Sequence, residues 1–220
     1  MSAAAEADGP VAAGPSDDAA ARDAPALEDA ALDAAALEDA ATLVGLLRAR
    51  GWMLAAAESL TGGLVASAIV DVPGASAAFG GGIVAYATSL KASLLGVDRG
   101  LLDVHGAVHP EVARQMAEGV RVACAVDGRP ADVGVSTTGI AGPDSPDGQP
   151  VGTVHIGIAT PDGGSIHSLV LAGTRSQIRR AAVRAALGAL REALGPSTAP
   201  AGSPGGAADP DRAERERGNS

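Results

Sequence analysis

The 220-residue sequence predicts one α/β domain, with helices layered on both faces of a sheet and a tail at each end. Three observations carry that expectation. Short apolar runs alternate with helical patterns between residues 37 and 194. One pair of such runs flanks a tight turn. Hydrophobic residues make up 46% of the chain, enough for a sizeable core. A single cysteine, Cys124, rules out a disulfide framework and a Cys-cluster zinc site. No run of about 18 apolar residues and no basic-then-apolar leader is present, so the chain reads as soluble and cytoplasmic, with no membrane partner.

The net charge of −10 is unevenly spread. Residues 1–40 hold ten acids and one arginine, whereas 41–194 hold twelve charges of each sign. The acidity therefore belongs to the N-terminal segment. Charge gives no support for nucleic acid as a partner.

Taken in order, residues 1–36 are Ala, Asp, Glu and Pro with few large apolar side chains. They read as a disordered acidic tail, although the repeated pattern at Ala26–Ala30 and Ala36–Ala40 has the character of nascent helix. Leu37–Arg50 is an amphipathic helix stopped by Gly51, and Met53–Ala57 a short strand. Thr61-Gly62-Gly63 opens a helix to about Val70, which the turn Val72-Pro73-Gly74 ends. Gly82–Tyr86 is a strand followed by a short helix through Leu95. Pro110, suited to a first helical turn, starts a helix to about Ala125. Val133–Thr138 is a strand leading into a Gly/Pro/Asp loop, Gly139–Pro150. Val151–Ala159 and Ile166–Leu171 form a hairpin about Pro161-Asp162-Gly163-Gly164. Gln177–Leu194 is the closing helix, and 195–220 a second disordered tail.

Rare residues point to chemistry. The chain has fifteen arginines but one lysine, Lys91, five residues after its one tyrosine, Tyr86. An amine can lose its proton when desolvated and a guanidinium cannot, so acid–base work would need the lysine. The strand-to-helix turn Ala57-Glu58-Ser59-Leu60-Thr61-Gly62-Gly63 suits an anion cradle at free amides, or equally an ordinary helix cap. It is not a P-loop, since no Gly-Lys-Ser/Thr follows, nor a dinucleotide fingerprint. Ser136 to Asp144 places hydroxyls and glycines just past a strand, where open α/β sheets hold ligands. His105 and His109 are four apart, but Gly106 and Pro110 break the helix that would align them on a metal. Arg175 precedes the last helix and can point into a cleft, while the arginines after it read as a solvated face.

Together these stretches resemble the C-terminal domain of CinA-type proteins, which also occurs as a stand-alone nicotinamide-mononucleotide amidohydrolase of PncC type. The matching segments are Ala57–Gly63, Asp71–Ser76, Tyr86 with Lys91, Leu95-Gly96-Val97, His105–Val108, Thr138–Pro143, Pro150–Val154 and Arg179–Ala182. The resemblance implies metal-independent, cofactor-free hydrolysis of nicotinamide mononucleotide to nicotinate mononucleotide and ammonia. It implies a Ser–Lys dyad with Ser76 as nucleophile, Lys91 as base and Tyr86 beside them, passing through a nicotinoyl-enzyme. Ser59, Thr61, Gly62, Gly63, Thr138 and Arg175 fall at positions it implies for substrate binding, with Arg175 or the amides of 61–63 toward the phosphate. The chain departs from the pattern at Ala75, where the family has a serine, at Ala87-Thr88 in place of Ser-Asn, at Thr174 in place of Asp and at His109 in place of Ser. The alternative is a catalytically inactive CinA-like module that binds a nucleotide or a protein partner. Assembly into a homo-oligomer is left open.

Overall fold

The computed structural model describes residues 17–145 and 148–195. The tails expected at 1–16 and 196–220 lie outside the described residues. Six helices, one turn of 3₁₀ helix and five strands run in the order α1 (Asp17–Arg50), β1 (Leu54–Glu58), α2 (Leu64–Val70), the 3₁₀ turn (Ala75–Ala77), β2 (Phe79–Val84), α3 (Thr88–Leu95), α4 (Arg99–His105), α5 (Pro110–Ala123), β3 (Val133–Gly139), β4 (Thr153–Thr160), β5 (Gly163–Val170) and α6 (Arg175–Leu194). Among the described residues no helix is long and apolar enough to cross a membrane.

The strands form one sheet in the order β2-β1-β3-β4-β5. β1 pairs in parallel with both β2 and β3, and β3, β4 and β5 pair antiparallel. Alternation along β1 assigns its two faces. Leu54 and Ala56 join the core beneath α1, α2 and α6, while Ala55 and Ala57 join the core beneath α3, α4 and α5. The layered α/β/α class therefore follows from the period-two pattern. Helix α5 sits unusually near the sheet because Gly134 and Gly157 face it. A Cβ at either position would collide with a carbonyl oxygen, of Ala117 or Ala113. The β4–β5 turn is Pro161-Asp162, with Thr160 and Gly163 paired across it.

Bounds shift by up to three residues at β2 (Phe79–Val84 against Gly82–Tyr86), β5 and the start of α6, and two elements differ by more. Helix α1 begins at Asp17, not Leu37. Ala36, Ala40, Leu43, Val44 and Leu47 are buried in the core shared with α6. Asp33 and Asp39 pair with Arg180 and Arg191 of α6. Packing supplies the costly helix nucleus, and an Ala-rich segment then propagates at little expense. Helix α4 was not expected. It is a seven-residue element started by Asp98, whose carboxylate accepts the Leu101 N–H at 2.7 Å.

Candidate functional site

A cleft of about 560 Å³ opens at the carboxyl ends of β1, β2 and β3, lined by Ser59, Tyr86, Thr88, Lys91, Gly106–Val108, Thr138–Gly142, Asp144 and Arg175. This is where parallel strands leave room for ligands. At its floor, Lys91 of α3 is fully buried, a rare place for an ammonium. Its Nζ lies 3.0 Å from Ser59 Oγ and donates to the Ala85 carbonyl at 2.8 Å. Burial pulls the Lys91 pKa down from 10.5 to about 8. The Ala85 carbonyl engages one N–H, which leaves the neutral amine's lone pair free to face the Ser59 hydroxyl.

Ser59 is the first residue after β1, and two charged side chains fix the turn that follows. Glu58, itself buried, accepts the amides of Gly63, Val65 and Ala66 at 2.8, 3.1 and 2.9 Å. Arg179 of α6 donates from Nε to the Leu60 carbonyl at 2.9 Å and from a terminal nitrogen to the Thr61 carbonyl at 2.8 Å. The Thr61 hydroxyl meets the Thr137 hydroxyl at 2.7 Å, and the Ser59 amide donates to the Thr137 carbonyl. Gly62 and Gly63 take φ of 62° and 98°, left-handed values that bend the chain back into α2.

This arrangement corrects three sequence expectations. Ser76 does not meet Lys91. It is exposed in the 3₁₀ turn before β2, beside the Ala78 carbonyl that receives the first amide of β1. That is the opposite end of the sheet, and Ser59 stands in its place. The amides of Gly63 and of the first turn of α2 are no anion cradle, because the Glu58 carboxylate already occupies them. Thr61, Gly62 and Gly63 lie behind the cleft and not on its wall. Tyr86 lines the same cleft as Ser59 and Lys91, is 62% exposed, and its hydroxyl takes a hydrogen bond from Arg175 at 3.1 Å.

Thr138 lines the cleft as expected, with its hydroxyl donating to the Ala107 carbonyl at 2.7 Å. It thus fixes the opposite wall. Arg175 also lines the cleft and is the first residue of α6, not a loop residue. It donates to the Gly142 carbonyl at 2.6 Å and to Tyr86. A guanidinium has five N–H donors, so most remain for an anion. Asp144 and Thr88 are cleft residues the sequence reading did not select. Glu58 and Arg179 were missed as well, although a lone carboxylate ending the apolar run Leu54–Ala57 and an arginine one turn after Arg175 were signals.

The histidines serve the scaffold. His105 and His109 stack with centroids 4.7 Å apart, and His109 Nδ1 accepts the Glu111 amide at the start of α5. His155 meets Ser168 at 2.9 Å, and burial first, then the proximity of His109, lowers its pKa. Among the described residues no three of His, Cys, Asp and Glu gather as a metal site.

A five-stranded α/β/α domain that buries a lysine against a serine beneath a polar cleft defines the class of this protein. The chain belongs to the CinA C-terminal domain family, whose model matches residues 37–194. It is 54% identical over 145 residues to a CinA-like protein of Frankia casuarinae, covering 66% of this chain and 32% of that one. The chain thus matches about a third of that relative's length. Among solved structures it is similar to the competence/damage inducible protein CihA of Agrobacterium tumefaciens, with TM-score 0.67 and 36% identity over 73% of this chain and 95% of that one. It is also similar to a competence-damaged protein (CinA) superfamily protein of Klebsiella pneumoniae, with TM-score 0.68 and 31% identity over 72% and 97% of the two chains.

Proposed function

We propose that this domain hydrolyses the carboxamide of nicotinamide mononucleotide, releasing nicotinate mononucleotide and ammonia, with Ser59 as nucleophile and Lys91 as base. The observation that carries the reading is the contact between Ser59 Oγ and a fully buried lysine whose pKa sits near about 8. An amine so placed is a free base above about pH 8, and a hydroxyl at hydrogen-bond distance is its natural proton donor. The nicotinamide nucleotide is the substrate that the resemblance implies. A cleft with one cation at its rim, Arg175, suits a ligand with one phosphate.

In the first half-reaction Lys91 takes the Ser59 proton as Oγ bonds to the carboxamide carbon. The tetrahedral intermediate then collapses. The C–N bond breaks, Lys91 returns the proton to the departing nitrogen, and ammonia leaves a nicotinoyl ester on Ser59. In the second, water attacks the ester carbon and gives its proton to Lys91. The C–Oγ bond breaks, and Lys91 reprotonates Ser59. Neither half-reaction calls on a metal, in keeping with what the resemblance implies.

Ammonia release from nicotinamide mononucleotide, measured in EDTA, tests the reading on wild type, Ser59→Ala, Lys91→Ala and Ser76→Ala. Turnover by wild type and Ser76→Ala, with none from the other two, is the expected result. A folded wild type that releases no ammonia but binds the nucleotide would make the domain a binding module. Loss of turnover in Ser76→Ala with retention in Ser59→Ala would return the nucleophile to Ser76.

A further inference from the structure

We propose that Arg179 is a positioning residue for the nucleophile, acting through the turn that carries Ser59; the inference rests on the serine–lysine reading above. The turn has two successive glycines with left-handed φ directly downstream of Ser59, the local sequence least able to hold one shape on its own. Glu58 holds its far end by the amides of Gly63, Val65 and Ala66. The near end, Leu60 and Thr61, has its carbonyls held across 119 and 118 residues of sequence by one half-buried guanidinium. Arg179 is not a cleft residue, so it has no contact with a ligand to offer. Its planar fork addresses two consecutive peptide groups at once, which a lysine ammonium cannot reproduce as well.

Position on α6 adds a second element. Arg175 and Arg179 are one turn apart on the same face of a helix that the core holds by Ile178, Ala182 and Val183. One rigid element therefore sets both the cation at the cleft rim and the clamp on the nucleophile turn. Their separation fixes how a bound anion stands relative to Ser59 Oγ. A loosened turn displaces Oγ from Lys91 and from the reacting carbon while leaving the Thr138 and Arg175 side of the cleft intact. Misplacement on the order of 1 Å costs about 10²-fold in rate.

The test is the steady-state kinetics of ammonia release from nicotinamide mononucleotide by the full chain with Arg179→Ala, Arg179→Lys and Arg175→Ala. For Arg179→Ala, kcat should fall about 10²-fold with KM within about 3-fold of wild type, and Arg179→Lys should recover part of the loss. The acid limb of the pH profile should keep its midpoint, because Lys91 is untouched. Added guanidinium ion should restore part of kcat to Arg179→Ala. Arg175→Ala should show the reverse split, with the change in KM. If Arg179→Ala does not fold, Arg179→Gln is measured in its place. A folded Arg179→Ala or Arg179→Gln variant with kcat within about 3-fold of wild type overturns the proposal, and so does a loss that neither guanidinium nor lysine repairs. A Ser59→Ala variant that still turns over would remove the hydrolase reading itself. An inert Ser59→Ala beside an unimpaired Arg179→Ala would remove only the clamp.

Discussion

Two small serine-bearing turns flank the same pair of parallel strands, and they have opposite fates. The Ser76 turn, with Gly74 at φ 83°, enters β2 at the amino end of the sheet and is exposed. The Ser59 turn leaves β1 at the carboxyl end, is clamped by Glu58 and Arg179, and holds its hydroxyl against Lys91. In sequence Ser76 is the nearer of the two to Lys91, by fifteen residues against thirty-two. The six residues of β2 account for the reversal. A strand advances about 3.3 Å per residue, so β2 carries the chain roughly 20 Å from the amino end of the parallel strands to their carboxyl end before α3 begins. Proximity in sequence predicts proximity in space poorly wherever a strand intervenes.

The sharpest way to break this contrast is kinetic. Ser59→Ala and Lys91→Ala should each reduce kcat by about 10³-fold or more, whereas Ser76→Ala should stay within about 2-fold. Equal losses at both serines, in folded protein, would erase the distinction between the turns.

Stability separates them next. Glu58→Ala leaves three amides, one buried and two part-buried, without an acceptor and should destabilise the domain by about 3 kcal/mol in urea unfolding. Ser76→Ala, at an exposed position, should stay within about 0.5 kcal/mol. A Glu58→Ala loss below about 1 kcal/mol would mean that water reaches those amides.

Lys91 sharpens the comparison through pH. Because its folded pKa is about 8 against 10.5, the unfolded chain binds more protons between those values, and folding stability from this group rises with pH across that window. Below about 8 the folded state carries the full penalty, on the order of 3 kcal/mol. Lys91→Met should therefore be inert yet more stable at pH 7 by about 1–2 kcal/mol, the lost bonds to Ala85 and Ser59 offsetting the remainder. The gain should vanish by about pH 10.5. In wild type, kcat/KM should climb with pH to a plateau with its midpoint near about 8, as the free amine forms. A flat profile from pH 6 to 9, in the range of about three units, would deny Lys91 the base role. The smallest effect concerns the rim. Arg175→Ala should raise KM for the mononucleotide about 10-fold with little change in kcat, and an unchanged KM would move the phosphate elsewhere.

Much of this architecture was legible in residue order. The strands came from short apolar runs, in one of which Val154, Ile156 and Ile158 all face the α1–α6 core, and the hairpin came from Pro161-Asp162-Gly163-Gly164 between two such runs. Pro110 marked the start of α5. The rarity of lysine singled out Lys91, and family resemblance singled out the segment around Ser59. Other features were not legible because their partners lie far along the chain. Arg179 resembles any solvated helix arginine until Leu60 and Thr61 are folded against it. The stretch 17–36 looks too polar to order until the core receives Ala36 and Arg180 of α6 pairs with Asp33.

By itself, then, the sequence determined the local periodicities, the breaks between them, and which side chains had chemistry to offer, since these depend on neighbours a few residues apart. Tertiary structure alone decided which serine meets the lysine, which amides remain free, and how far the amine is desolvated. Those properties belong to groups brought together across strands and helices. A hydrogen bond near 3 Å and a pKa depressed by burial exist only once the intervening chain has been laid into the sheet.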